Sequence, residues 1–113
     1  MKTVTICGSM NFAAEMKQIA FELESQRGYV VLQCVYPERD ADITPGMLEN
    51  LKRSHLQKIQ MSDGIYVVNV DGYLGDSVKR EIRFAESRHK EIEYLIPKQG
   101  TGDCREGERY GGE

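Results

Sequence analysis

Residues 63–85 read DGIYVVNVDGYLGDSVKREIRFA and predict a strand, a glycine-containing loop and a helix, in that order. The run at residues 65–70 is rich in β-branched residues and lacks an alternating polar face, which is typical of a strand covered on both sides in a parallel sheet. Ligands bind to such sheets where the strands end. We therefore expect the loop and the first turns of the helix to border a binding site.

The rest of the chain repeats this alternation of strands and helices. Strands are predicted at residues 2–7, 29–35, 65–70 and 91–96, and helices at residues 12–28, 47–61 and 77–89. Crossovers of this length are right-handed and place the helices outside the sheet. The sequence predicts an α/β fold, a flavodoxin-like or Rossmann-like three-layer sandwich with a four- to five-stranded parallel sheet.

The length of 113 residues is sufficient for one domain with a single core. We expect residues 1–96 to form that domain. Residues 97–113 contain five of the eleven glycines and no apolar periodicity, which predicts a flexible tail.

The composition narrows the range of partners. A formal net charge of −3 predicts no binding to duplex nucleic acid or to an anionic membrane. No apolar run approaches the roughly 20 residues that span a bilayer, so we expect a cytoplasmic protein with small-molecule or protein partners. Three cysteines without CxxC spacing predict reduced thiols, and two histidines do not predict a zinc site.

Two glycine-bearing loops are the candidate binding elements. In a 2-1-3-4 strand order, the loops after strands 1 and 3 border one crevice. The first loop contains Gly8, Ser9 and Met10, and the second, at residues 72–77, reads GYLGDS. Each precedes a helix N-terminus, whose N–H groups favour phosphate or carboxylate. Neither loop has a G-x-G-x-x-G or Walker A pattern, so the sequence does not predict NAD binding or ATP hydrolysis by the standard motifs.

Several side chains other than glycine are candidates with an ordinary structural alternative. Glu81 lies at the edge of an apolar helical stripe. It is either a nucleophile or general base of the site, or a structural glutamate whose carboxylate is paired with an arginine or with backbone donors. His55 lies within the apolar stripe of the second helix, either in the site or as a core histidine. Ser77 is first an N-cap candidate and second a phosphate contact. Tyr36 and Tyr73 either stack on a base or are ordinary surface tyrosines.

Three segments resemble the nucleoside 2-deoxyribosyltransferase-like superfamily, which includes 2′-deoxynucleoside 5′-phosphate N-hydrolases. They read ICGSM at residues 6–10, HLQKIQMSDGIYVVNV at 55–70 and GYLGDSVKREI at 72–82, and the similarity extends over roughly residues 2–96. The resemblance implies that Glu81 is the nucleophile at the anomeric carbon of the sugar. His55 takes the place of an aspartate found in working members of the family.

The resemblance implies a hydrolase or transferase that acts on the N-glycosidic bond of a nucleoside or nucleoside 5′-monophosphate, without metal or organic cofactor. The residues expected to hold phosphate or sugar, or to line the pocket beside Glu81 and His55, are Gly8, Ser9, Met10, Asn69, Gly72, Tyr73, Gly75 and Ser77. Family members usually close the site with a neighbouring subunit, so a homodimer or larger homo-oligomer is expected. The alternative is a non-catalytic nucleotide-binding or sensor protein with the same fold.

Overall fold

Four strands and three helices make up the part of the chain that the computed structural model describes, residues 1–38 and 40–97. The strands are β1 (Thr3–Gly8), β2 (Val30–Leu32), β3 (Gly64–Val68) and β4 (Glu91–Tyr94). The helices are α1 (Ala13–Arg27), α2 (Pro45–Met61) and α3 (Asp76–Ser87). The predicted tail, apart from Pro97, lies outside the described residues. None of the helices in the described ranges has both the length and the apolar character to cross a membrane.

The strands form a single parallel sheet in the order β2-β1-β3-β4. Val4 of β1 is in register with Val31 of β2 on one side and with Gly64 of β3 on the other. This is the strand order predicted from the sequence. The α/β fold with a parallel sheet is confirmed.

Apolar side chains fill both faces of the sheet, because successive residues of a strand point to opposite sides. On one face, Ile6 and Val68 pack with Met16 and Leu23 of α1. On the other face, Ile65 and Val67 pack with residues of α2 and α3, including Ile59 and Ile82. The sheet therefore lies between α1 on one side and α2 with α3 on the other, which gives the predicted three layers.

Local signals explain where the helices begin and end. Thr44 caps α2, with Oγ1 accepting the Met47 N–H at 3.1 Å, and Pro45 occupies the first turn, where its missing N–H costs nothing. Gly28 ends α1 in the left-handed conformation, with φ of 70°. The prediction that Ser77 is the N-cap of α3 was wrong. The helix begins at Asp76 after Gly75, and a carboxylate in the first turn favours that earlier start.

Three strands are shorter than the sequence pattern predicted, and β4 is one of them, covering Glu91–Tyr94 rather than residues 91–96. β2 covers Val30–Leu32 rather than residues 29–35, since it lies at the edge of the sheet and pairs only with β1. β3 ends at Val68 rather than at residue 70, and the chain then turns through the short 3-10 segment Val70–Gly72.

The first residue of β3 is a glycine because β4 passes very close to it. A Cβ at Gly64 would lie 2.6 Å from the carbonyl oxygen of Glu91 and 3.0 Å from its Cβ. Contacts this short with backbone atoms force the two strands apart. Any side chain at position 64 therefore disturbs the pairing of β3 with β4.

We expect Gly64→Ala to lower the free energy of unfolding by about 1–3 kcal/mol, because overpacking strains the paired strands. Gly46→Ala is the matched control, since its added methyl meets only Thr44 Oγ1 at 4.0 Å, and alanine in a helix is favoured over glycine by roughly 0.5–1 kcal/mol. Denaturant unfolding of both variants measures the difference. Equal stability of Gly64→Ala and the wild type would contradict the close approach.

Candidate functional site

Three side chains from three different elements meet near the carboxyl end of β1. Cys7 lies one residue before the end of β1, His55 is on α2, and Glu81 is on α3. The Nε2 atom of His55 is 3.5 Å from the Oε1 atom of Glu81 and 3.5 Å from the Sγ atom of Cys7. The potential ligand atoms of all three residues lie within 4.8 Å of one another. We call these three residues the Cys-His-Glu cluster.

The local periodicity of each element directs these side chains to one layer. Cys7 packs on the face of the sheet covered by α2 and α3, whereas its neighbour Ile6 packs against α1. His55 is one turn before Ile59 on the buried stripe of α2. Glu81 flanks the buried stripe of α3, and its side chain is 21% exposed. The prediction that this carboxylate leans toward the core at the edge of the stripe is confirmed.

Among the described residues, Glu81 lacks the arginine partner that would mark it as an ordinary buried ion-pair residue. Within the described ranges, His55 is its only potential ion-pair partner at 4.0 Å or less. A carboxylate that is largely withdrawn from water without a fixed cation retains its capacity to bind a ligand group or to react.

Cys7 is fully buried and is not an activated thiol. Burial, followed by the charge of nearby Glu81, raises its pKa well above the ordinary value for a cysteine. The nucleophilic form of cysteine is the thiolate, so a raised pKa suppresses reactivity at neutral pH. Cys7 is therefore either a passive part of the core or a ligand whose proton a bound ion displaces.

His55 is buried, and only one of its ring nitrogens faces a polar group. Its Nε2 atom faces Cys7 and Glu81, while Nδ1 has no hydrogen-bond partner among the described residues. A core histidine normally has both nitrogens satisfied. Among the described residues, His55 is therefore not the fully hydrogen-bonded core histidine that was its structural alternative.

A cavity of about 240 Å³ opens beside His55 and Glu81. Its floor is at Gly8, and one wall comes from α2. Its apolar lining consists of Met10, Val35, Pro37, Ile43, Leu48 and Leu51. Its polar lining consists of Cys34, Lys52, Ser54, His55, Lys58 and Glu81. The cavity thus combines apolar walls with one carboxylate and two lysines.

Four of the residues proposed from the sequence line this cavity: Gly8, Met10, His55 and Glu81. Gly8 also has a packing reason to be glycine, because a Cβ there would lie 3.0 Å from Met16 Sδ and 3.2 Å from the carbonyl oxygen of Val68. The loop after β2 forms the remaining wall, in place of the loop after β3 that the sequence suggested. Tyr36, the stacking candidate, packs against the core on the α1 side.

The other proposed residues are outside this cavity and have structural roles. Ser9 Oγ accepts the Asn11 N–H at 3.1 Å and so caps a short turn. The buried Asn69 donates to the Ile96 carbonyl at 3.0 Å and accepts the Ile96 N–H at 2.9 Å. Both polar atoms of the Asn69 side chain therefore form hydrogen bonds with the backbone of Ile96.

The second predicted loop also remains apart from the cavity. Gly72 has φ of 80°, a conformation that favours glycine. Tyr73 packs edge-on against Phe12, with ring centroids 6.0 Å apart, and its hydroxyl would lie 3.3 Å from a Cβ on Gly75. Tyr73 thus forms a bridge between the two glycine-bearing loops.

A second, larger cavity of about 590 Å³ lies between α2 and α3 and shares Glu81 and Lys52 with the first. Its lining is basic, with Lys52, Arg53, Arg80 and Arg83. Ser77 borders this second cavity, where Arg80 donates to its Oγ atom at 3.3 Å. An anionic group bound near Glu81 would lie close to the positive charges of these four side chains.

The sequence reasoning missed Cys7 and the two lysines. The sequence predicted only a reduced thiol for Cys7, although the alternation of β1 and the inward tilt of Glu81 together indicated that the two side chains share one face of the sheet. Lys52 and Lys58 gave no such signal, because lysines on a surface helix are common. Lys58 also donates to the Gln33 carbonyl at 2.6 Å and so anchors the loop after β2.

No protein-family model, no curated protein and no solved structure matches this chain. The resemblance to the nucleoside 2-deoxyribosyltransferase-like superfamily therefore stays a prediction from the quoted segments.

The burial of Cys7 predicts a large difference in thiol reactivity within the chain. In a Cys104→Ser background, two thiols remain, and we expect Cys34 to be alkylated in the folded protein and Cys7 only after unfolding. Burial raises the pKa of both thiols, but Cys7 is fully buried whereas Cys34 is partly exposed, so blocked access should make the rate of Cys7 at least about 100-fold lower. Mass spectrometry of peptides after timed alkylation measures both rates. Equal rates would contradict the burial of Cys7.

Proposed function

We propose that this protein cleaves or exchanges the N-glycosidic bond of a nucleoside or nucleoside 5′-monophosphate, with Glu81 as the attacking carboxylate. The observation that carries the proposal is the position of Glu81. Its carboxylate borders a cavity at the end of a parallel sheet, partly buried and without an arginine or lysine partner in the described ranges. Such a carboxylate is suited to attack an electron-poor carbon.

The cavity suits one nucleoside better than a larger cofactor. Its volume of about 240 Å³ is below the roughly 300–1,000 Å³ of most drug-sized ligand sites. Apolar side chains such as Leu48 and Ile43 offer a surface for a base. Lys52 and the basic cavity between α2 and α3 offer positive charge for a 5′-phosphate.

The proposed reaction proceeds in two displacement steps. The Glu81 carboxylate forms a bond to the anomeric carbon as the C–N bond breaks, and the electron pair of that bond leaves with the base, which takes up a proton. The transition state has oxocarbenium character, as in retaining glycosidases. Water then attacks the glycosyl ester and releases the sugar and Glu81, which makes a hydrolase. A second base in place of water makes a transferase.

His55 acts here as a positioning residue. With its Nε2 atom 3.5 Å from Oε1, the imidazole limits the rotation of the Glu81 side chain, which lines the cavity. An N–H on Nε2 would donate weakly to the carboxylate at this distance. The non-catalytic alternative uses the same geometry, with Glu81 accepting a hydrogen bond from a sugar hydroxyl.

Assembly into a dimer or larger oligomer also remains a prediction. Met10, Val35, Ile43 and Leu48 line the cavity and are each more than one third exposed. Exposed apolar groups clustered around a site are typical of a surface that another molecule covers.

The test is the release of free base, measured by chromatography in the presence of a metal chelator. Deoxy- and ribonucleosides and their 5′-monophosphates are incubated with the wild type, with Glu81→Gln and with Glu86→Gln. We expect Glu81→Gln to lose roughly 10³-fold or more in rate, because the amide is a poor nucleophile. Glu86 is an exposed residue on the same helix and outside both cavities, so Glu86→Gln should retain the wild-type rate.

The outcomes separate the proposed activities. Base release that requires Glu81 supports the hydrolase. Base exchange only after addition of an acceptor base supports the transferase. Ligand-induced thermal stabilisation without release or exchange would favour the non-catalytic alternative, and release that persists in Glu81→Gln would exclude Glu81 as the nucleophile.

A further inference from the structure

We propose that Cys7, His55 and Glu81 together bind one divalent metal ion of the zinc class. The site would use Cys7 Sγ, His55 Nε2 and one Glu81 carboxylate oxygen, with a fourth position supplied from the cavity. This binding function goes beyond the glycosidic chemistry proposed above, although it uses the same Glu81 carboxylate.

The types of donor atom are the first reason. Thiolate sulfur, imidazole nitrogen and carboxylate oxygen are the three protein ligands that zinc accepts. Soft sulfur disfavours magnesium and calcium, which prefer all-oxygen sites. Three different elements, β1, α2 and α3, converge to bring these donors together, although 48 residues separate Cys7 from His55 in the sequence.

The distances between the donors are the second reason. Zinc–ligand bonds of about 2.0–2.3 Å in tetrahedral geometry place neighbouring ligand atoms about 3.3–3.6 Å apart. The observed Nε2–Sγ and Nε2–Oε1 distances are both 3.5 Å. The remaining pair, between Cys7 and Glu81, lies within 4.8 Å. Small rotations of the Glu81 side chain are sufficient to complete the geometry.

Hydrogen bonding accounts for the Nε2–Sγ distance, which is ordinary for a bond to sulfur, but less well for the Nε2–Oε1 distance. A charge-assisted N–H···O bond between histidine and a carboxylate is typically about 2.7–2.9 Å long, so the 3.5 Å separation is too wide for a strong one. The three polar groups are nevertheless withdrawn from water, with Cys7 fully buried and His55 8% exposed. A shared ion would satisfy all three groups once the Glu81 side chain rotates toward Cys7.

The cavity provides the fourth ligand and the entry path. His55 and Glu81 line the cavity, which is large enough for a water molecule on the ion. An open fourth position distinguishes exchangeable or catalytic zinc sites from closed structural ones. As the metal–sulfur bond forms, the thiol proton of Cys7 leaves for solvent, so one proton is released for each ion bound.

The surroundings of His55 predict a moderate affinity. A metal-bound histidine usually donates its other ring N–H to an acceptor, which fixes the ring. His55 Nδ1 has no such acceptor among the described residues. We therefore expect an ion that exchanges readily rather than one retained through purification.

An ion held by Glu81 would also block nucleophilic attack by that carboxylate, so zinc should suppress any base release.

Cobalt(II) provides a direct probe of the site. The reduced full-length protein is titrated with Co²⁺ under a phosphine reductant, and absorption spectra are recorded. We expect one equivalent to produce a thiolate-to-cobalt charge-transfer band together with the intense visible bands of a tetrahedral site, and Zn²⁺ to displace both. Cys34→Ser is the matched control, because Cys34 lines the same cavity but lies outside the Cys-His-Glu cluster.

The variants test each ligand separately. Cys7→Ser should abolish the charge-transfer band, whereas Cys34→Ser and Cys104→Ser should retain it. His55→Ala should weaken Zn²⁺ binding by more than roughly 100-fold in competition with a chromophoric chelator. Circular dichroism confirms that each variant is folded.

Two outcomes of the cobalt titration would overturn the proposal, one in the wild type and one in the variants. Absence of a charge-transfer band in the wild type, or a band that survives Cys7→Ser and disappears in Cys34→Ser, would exclude the Cys-His-Glu cluster as a metal site. Because the base-release assay contains a chelator, the failure of either proposal leaves the result for the other unchanged.

Discussion

The pairing of β1 on both of its edges is the constraint on which the rest of the structure depends. With β2 on one side and β3 on the other, β1 is central, and its side chains alternate between two separate cores. Ile6 belongs to the core under α1, and Cys7 belongs to the core under α2 and α3. A shift of one residue in register would exchange these faces and remove Cys7 from His55 and Glu81.

The same constraint explains why polar groups meet inside an apolar layer. α2 and α3 both lie against the face that contains Cys7, and each contributes one polar residue at the position nearest the end of β1. Burial of polar groups with long and few hydrogen bonds costs stability unless they bind something. Both proposals for this site, a reacting Glu81 and a bound metal ion, give a reason why the fold tolerates this loss of stability.

The fold was predictable from local patterns, whereas part of the site was not. The apolar run of β3 and the helical stripe of α3 predicted the parallel sheet and the inward tilt of Glu81, and both are present. The N-cap of α3 and the lengths of β2, β3 and β4 differed from the prediction, because element ends depend on neighbouring strands and on competing turns. Asn69 was expected in the pocket, yet its amide binds the backbone of Ile96, a contact that no local pattern encodes.

By itself, the sequence determined which segments become strands and helices and which face of each is apolar, since these follow from the period of the side chains along the chain. Only the tertiary structure decided that the loop after β2 walls the cavity and that Cys7, His55 and Glu81 lie within 4.8 Å of one another. The reason is that distances between elements depend on how side chains interlock when helices pack on a sheet, and this shape complementarity is a property of the folded chain rather than of any one segment.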